Sequence, residues 1–251
     1  MIGPHLFLAA GGHGKVVIPN FGGPSGGAHG CIARNGLFCW SWVDEHWHDT
    51  LQPALIQHLY LTAIAVAIGF AIAFFAALLA HRRNWFETPF GLFSAFLYTI
   101  PSLALFQLLV PFTGLSVTTI EIGLVGYTLL ILFRNTLTGL REVPEDVIEA
   151  ARGMGLSPTQ IMTRVELPLA LPAIMAGLRI ATVTTISLAT VAAYITPLGL
   201  GKPIFYGLQS SFHTEFMATG ALAIALALAA DVLLVTAQRA LMPWTRLRRA
   251  T

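Results

Sequence analysis

Residues 54–80 contain no Asp, Glu, Lys or Arg, and the run ends at His81, Arg82 and Arg83. Wound as a helix at about 1.5 Å per residue, it outspans the roughly 30 Å hydrocarbon core of a bilayer. The stretch therefore predicts a membrane span, and the pattern recurs. Residues 90–112, with Pro101 inside them, predict a second span. Residues 120–133, extended to about 118–136, predict a third; 169–195 predict a fourth and 216–241 a fifth. Only 10% of the 251 residues are charged and 55% are hydrophobic, against about 25% charged in soluble domains. One all-α integral membrane domain of about five spans, covering 51–243, is the expected architecture.

The positions of the basic residues predict the orientation, because cytoplasmic loops retain Lys and Arg. With the N-terminus outside, Arg82, Arg83, Arg134, Arg141, Arg152, Arg164, Arg239, Arg246, Arg248 and Arg249 fall inside. Lys15, Arg34 and Lys202 fall outside, and Arg179 lies within a span. The asymmetry predicts N-out and C-in, with 244–251 as a basic cytoplasmic tail. Trp85 and Trp244 lie just past inner span ends, and Trp40, Trp42 and Trp47 precede the first span. All five suit an interfacial belt, which makes 37–49 an interfacial helix or an irregular lead-in. His58 and His81, near span ends, suit the interface as well.

The N-terminal tail, 1–50, gives little. Residues 1–8 lack Lys and Arg, and the apolar run 6–10 is too short for a cleaved signal. Residues 11–36 are rich in Gly and Pro without periodicity, which predicts disorder. Gly11-Gly12-His13-Gly14-Lys15 fails as a phosphate loop: the pattern needs Gly where Ala9 stands and Ser or Thr where Val16 stands. Cys31 and Cys39 could pair in an external tail. With His5, His13, His29, His46 and His48 they match no zinc spacing, so no metal site is expected.

Between spans three and four, residues 142–168 change character. Pro144 followed by Glu145 and Asp146 predicts a helix start, with acids where the macrodipole favours them. The helix should weaken at Gly153 and Gly155. Ser157-Pro158 repeats the start signal with Ser157 as N-cap, and Pro168 and Pro172 are expected to mark a turn into span four. Two such short helices cannot bury a core between them. Ala150, Ala151, Met154, Ile161 and Met162 have no evident partner in the chain, so the loop reads as a docking surface for another protein.

Those residues carry a resemblance. Glu149-Ala150-Ala151, three residues, Gly155, nine residues and Val165-Glu166-Leu167-Pro168 resemble the E-A-A-x3-G-x9-I-x-L-P loop of permeases in binding-protein-dependent ABC importers. The single departure is Val165 for Ile. Three further segments resemble the glycine betaine, choline and proline uptake permeases. They are Thr99-Ile100-Pro101-Ser102-Leu103-Ala104-Leu105, Arg134-Asn135-Thr136-Leu137-Thr138-Gly139-Leu140 and Leu198-Gly199-Leu200-Gly201-Lys202-Pro203-Ile204-Phe205.

The resemblance implies a type I, MetI-like permease fold and a transport subunit with no catalysis of its own. Glu149, Ala150, Ala151, Gly155, Val165, Leu167 and Pro168 would couple it to a separate ATPase. No cofactor would be bound by this chain, since ATP and Mg would be used by the partner. The implied partners are two ATPase subunits, a second permease copy or paralogue and an extracytoplasmic substrate-binding protein, within membrane lipid and with no nucleic acid. The implied cargo is glycine betaine, choline, carnitine or proline, with another small amine or amino acid as the alternative. A stand-alone secondary transporter or channel would need an ion site or pore that these spans do not suggest. A membrane enzyme would need a catalytic constellation that is equally missing.

Two charges fall deep inside spans. Arg179 and Asp231 each lie ten residues from the inner end of a span, so both sit at a depth of roughly 15 Å and are expected to pair across two helices. For a translocation path the candidates are Tyr98, Pro101, Ser102, Thr182, Thr185 and Tyr194. Thr184, Ser187 and Thr190 extend a polar stripe on span four, and the aromatics suit a quaternary ammonium.

Overall fold

A computed structural model describes residue 30 and residues 35–242 of the chain. Apart from residue 30, the readings of the tail up to residue 34 and of 244–251 lie outside the described residues. Within them, all regular structure is helical.

The lead-in is α1 (Trp40–Glu45) followed by a wide turn, Trp47–Leu51, which runs into the long helix α2 (Gln52–Arg82). Trp42 corrects the belt reading, because it is 4% exposed and packs with Leu51 and the ring of Phe212. Residues 35 and 36, expected to be disordered, are strapped down. The Asn35 amide donates to Ser211 O at 2.8 Å, its side-chain oxygen accepts from the His213 N–H, and Thr214 donates to Gly36 O.

The second span is a bent pair, α3 (Asn84–Thr99) and α4 (Ser102–Thr113), with 102° between them. Pro101 is the cause: a proline drives the residue before it out of helical geometry, and Ile100 is extended at φ −67°, ψ 130°. The Ile100 carbonyl freed by the break accepts the Tyr127 hydroxyl. The core span α5 (Val117–Arg141) runs beyond its expected ends. Pro144 is the N-cap of α6 (Glu145–Gly153) and not its first residue, since its ψ of 138° is extended.

No turn separates the second loop segment from span four. α7 (Pro158–Ile161), a wide turn (Met162–Glu166) and α8 (Leu167–Ala192) form one continuous path. A proline inside a helix lacks an N–H and crowds the carbonyl four residues back. The wider winding ends just before Pro168 and relieves that conflict. The chain closes with α9 (Gly201–Gln209) and α10 (His213–Leu241). Among the described residues, four helical stretches are long and apolar enough to cross a membrane, five if the bent pair is one span.

Small residues hold α5 between α2 and α8. Ala73, Ala76, Ala77 and Ala80 meet Leu129, Leu132 and Phe133. A Cβ on Gly69 would fall 1.8 Å from Thr128 Oγ1, and one on Gly177 would fall 2.5 Å from Asn135 Cβ. Such close backbone approach replaces the hydrophobic drive that lipid cannot supply. His58 is fully buried, a correction of its interfacial reading. Its Nδ1 accepts the Leu200 N–H at 3.3 Å, so Nε2 carries the proton and donates to Ile186 O at 3.1 Å. Beside it, Gln57 accepts the Gly199 N–H at 2.9 Å. The Gly-rich segment after α8 is thereby moored to α2.

Candidate functional site

The helix α6 stands at the end of the bundle that carries Arg82, Arg134 and Arg141. Glu145 and Asp146 occupy its first turn and Arg152 its last, so its charges suit its dipole at both ends. At its end the Leu156 N–H reaches Ala151 O at 3.2 Å and the Gly155 N–H reaches Arg152 O at 2.9 Å. That double closure needs a left-handed residue between them, and Gly155 supplies it at φ +82°. Gly153, also expected to weaken the helix, ends it without a positive φ and has open space around its Cβ position.

The two sides of α6 differ. Ala151 is 1% exposed, whereas Val147, Glu149 and Ala150 are exposed and Met154 is 73% exposed. Val147, Ala150 and Met154 recur at helical spacing, so they form one bare apolar strip. The docking reading is thereby divided. Ala151, Ile161 and Met162, read as partnerless, are covered by the chain itself, and Met162 packs on Leu140, Ala170 and Ile174. Ala150 and Met154 remain uncovered.

The second half of the motif is a mount. Leu167 packs against the Leu140 and Met162 cluster, and Val165 and Pro168 are half-buried. Glu166 is buried and lies 3.5 Å from His81 Nε2 at the end of α2, a tie that sequence reading passed over. Gln160 was missed as well. Its amide oxygen accepts the Ser157 N–H at 2.8 Å while Ser157 Oγ accepts the Gln160 N–H, closing a capping box on α7. The spacing Ser157-x-x-Gln160 was the available signal.

Midway along α8, Arg179 Nε donates to Asp231 Oδ1 at 2.8 Å and Nη2 donates to Oδ2 at 3.0 Å. Each side chain is 34% exposed. The pair borders a groove of about 940 Å³ between α8 and α10, which also receives Thr184, Ser187 and Thr190. Gly220, Ala223 and Ala227 of α10 leave it room. Thr182 and Thr185 lie elsewhere. The Thr185 hydroxyl is buried on Ala181 O, and Thr182 bonds Leu178 O beside a separate apolar cleft.

The remaining path candidates are not gathered at the groove. Tyr98, Pro101 and Ser102 surround the α3–α4 break, with the Tyr98 ring 5.9 Å from Tyr127. Tyr194 leans on Phe205 beyond the end of α8. An acid that sequence reading overlooked, Glu121 on α5, buries both carboxylate oxygens with no partner among the described residues. An ionisable residue within a span was itself the signal.

The family model described as "Binding-protein-dependent transport system inner membrane component" matches residues 69–247. A choline transport system permease protein of Bacillus subtilis is 35% identical over 189 residues, covering 74% of this chain and 86% of its own length. A carnitine transport permease protein of Listeria monocytogenes is 38% identical over 170 residues, covering 67% and 77%. Among solved structures, an inward-facing conformation of the MetNI methionine ABC transporter superposes with a TM-score of 0.65 at 22% identity. It covers 73% of this chain and 92% of the matched one, and it shows a common fold.

Proposed function

The chain belongs to the binding-protein-dependent transport system inner membrane component family and is the permease subunit of an ABC importer, and from that premise we propose that it carries a small quaternary-ammonium osmolyte inward. Choline and carnitine are what the two relatives are named for; glycine betaine is of the same kind, and proline is a small zwitterion with a secondary rather than a quaternary ammonium. A permease of this family works with an ATPase subunit, a substrate-binding protein and a second permease. In our reading the chain lies N-out and C-in, a pair of ATPases sits at the basic end, and the partner permease is a second copy or a paralogue.

The observation that carries the coupling role is the two-sided α6. Ala151 seats it on its own chain, while Val147, Ala150 and Met154 stand bare beside the exposed carboxylate of Glu149. Alanine admits close approach, and Glu149 can accept a charge-assisted hydrogen bond from a partner's donor. Closure of the ATPase pair would push α6. Glu166 and the α7–α8 path would pass that displacement to α2 and span four, rocking the spans between outward and inward openings.

Co-purification of the ATPase with wild type and with Glu149→Arg tests the coupling role. The variant should lose association and ATP-driven uptake together, and unchanged association would refute it. Uptake of radiolabelled glycine betaine, choline, carnitine and proline by the reconstituted importer tests the cargo.

A further inference from the structure

We propose that the groove between α8 and α10 is a mid-membrane station for a small zwitterion, in which Arg179 takes the carboxylate and Asp231 faces the quaternary ammonium. The inference rests on the osmolyte reading and adds to it a site and a selectivity.

Both charged side chains are one-third exposed, and both lie roughly 15 Å from the basic end of their helices. Charges at that depth turn toward the bundle interior or a watery cavity, not toward lipid tails. The hydroxyl-bearing side chains of Thr184, Ser187 and Thr190 line the same space. Two formal charges and three hydroxyl-bearing side chains set into otherwise apolar walls are ill-matched to hydrocarbon and suit a solute that carries both charge and methyl groups.

Arg179 uses Nε and one N–H of Nη2 on Asp231, which leaves three of its five N–H donors. Those remaining donors suit a carboxylate. The Asp231 oxygens keep lone pairs that stabilise a cation alongside them. Apolar walls from Ile180, Val183, Ile224 and Leu228 suit N-methyl groups, which offer no hydrogen bond. The site thus presents both signs side by side without breaking its own ion pair. A ligand with both charges engages both residues, and a plain cation such as choline engages only Asp231.

Two measurements test this in the assembled importer. In a Cys31→Ser, Cys39→Ser background, Ser187→Cys is exposed to a membrane-impermeant trimethylammonium thiosulfonate and to lipid-soluble N-ethylmaleimide. We expect the cationic reagent to label it and Asp231→Asn to slow labelling about fivefold or more, as loss of an adjacent countercharge implies. Glycine betaine should protect better than choline. Labelling by the maleimide alone would place the groove against lipid or a second copy and overturn the proposal, as would cationic labelling that neither Asp231→Asn nor glycine betaine alters.

The second measurement is the ratio of glycine betaine to choline uptake. Arg179→Gln should lower it about tenfold, and Arg179→Lys, which keeps the charge without the fork, should lower it less. A pair with only a structural role predicts equal loss of both cargoes in Arg179→Gln. It also predicts equal recovery of both when Arg179→Asp is combined with Asp231→Arg, and that result overturns the proposal. If wild type carries neither osmolyte, the cargo reading fails, and the labelling arm still decides the groove through its own cationic probe.

Discussion

At the basic end of the bundle, α6 leaves an apolar strip of Val147, Ala150 and Met154 uncovered. Between α8 and α10 it is a charge pair, Arg179 with Asp231, that is left uncovered. A bare apolar strip in water is covered by protein, and a bare ion pair in a membrane is covered by water or a polar solute. The permease therefore carries two unfinished surfaces with opposite chemical needs. The continuous path 158–192 connects them, since its first turns border the same small cleft as Ile148 and Arg152 of α6 and its helix α8 carries Arg179 at the middle. Variants at one surface should alter ATPase association whatever the cargo, and variants at the other should alter cargo with association intact.

The largest break should come at Gly155. Its φ of +82° closes α6 against the loop, a geometry that costs an L-residue roughly 1–2 kcal/mol and a β-branched one more. Gly155→Val should misdirect α6 and cut both ATPase co-purification and uptake by about tenfold or more. Gly153→Ala, with open space at its Cβ position and no positive φ, should leave both unchanged. Equal loss in the two variants would mean that α6 docks by its sequence rather than by its angle.

That contrast also marks how far the sequence could be read. The proposed docking end could be read at all because its residues lie within a short contiguous stretch: Glu149-Ala150-Ala151, Gly155 and Leu167-Pro168 keep a spacing that needs no tertiary knowledge. The spans were legible from their apolar length, despite the charges inside three of them. The division of α6 into a seated and a bare side was not, because Ala150 and Ala151 are chemically identical and only packing distinguishes them. Nor was the burial of His58, whose partners Leu200 and Ile186 lie more than a hundred residues along the chain. Pro101 and Pro168 make the same point. Pro101 was read as lying inside one span and breaks it, whereas Pro168 was read as a turn and the wide turn before it keeps the helix continuous.

Second in size is the pair of alanines. Ala151→Leu adds bulk where only 1% of the residue is exposed, and overpacking of this kind costs roughly 1–3 kcal/mol. It should lower the thermal stability of the purified permease and tilt α6. Ala150→Leu, on the bare side, should leave permease stability unchanged and weaken only ATPase association. Identical stability losses would show that both alanines face the body, leaving the docking strip without its centre.

At the groove, Gly220 offers a milder test. A Cβ there meets nothing within 4 Å, and the residue borders the space shared by Arg179 and Asp231. Gly220→Leu should fill part of the groove without displacing α10 and reduce osmolyte uptake by about threefold to tenfold, while ATPase co-purification stays at the wild-type level. Loss of association in this variant would join the two surfaces that the comparison separates.

The smallest effect belongs to the mount between them. Ser157 and Gln160 close the capping box that starts α7, outside the apolar spans. Losing an N-cap hydroxyl costs about 1 kcal/mol, a loss that α7 can tolerate because it continues directly into the much longer α8. Ser157→Ala should therefore leave docking and cargo selectivity in place and loosen only the transmission between them, read as ATP hydrolysed per osmolyte delivered. A rise in that ratio with normal co-purification would identify 157–168 as the stiff link between the surfaces. An unchanged ratio would assign the transmission to the contact of Glu166 with His81, which joins the same segment to the first span.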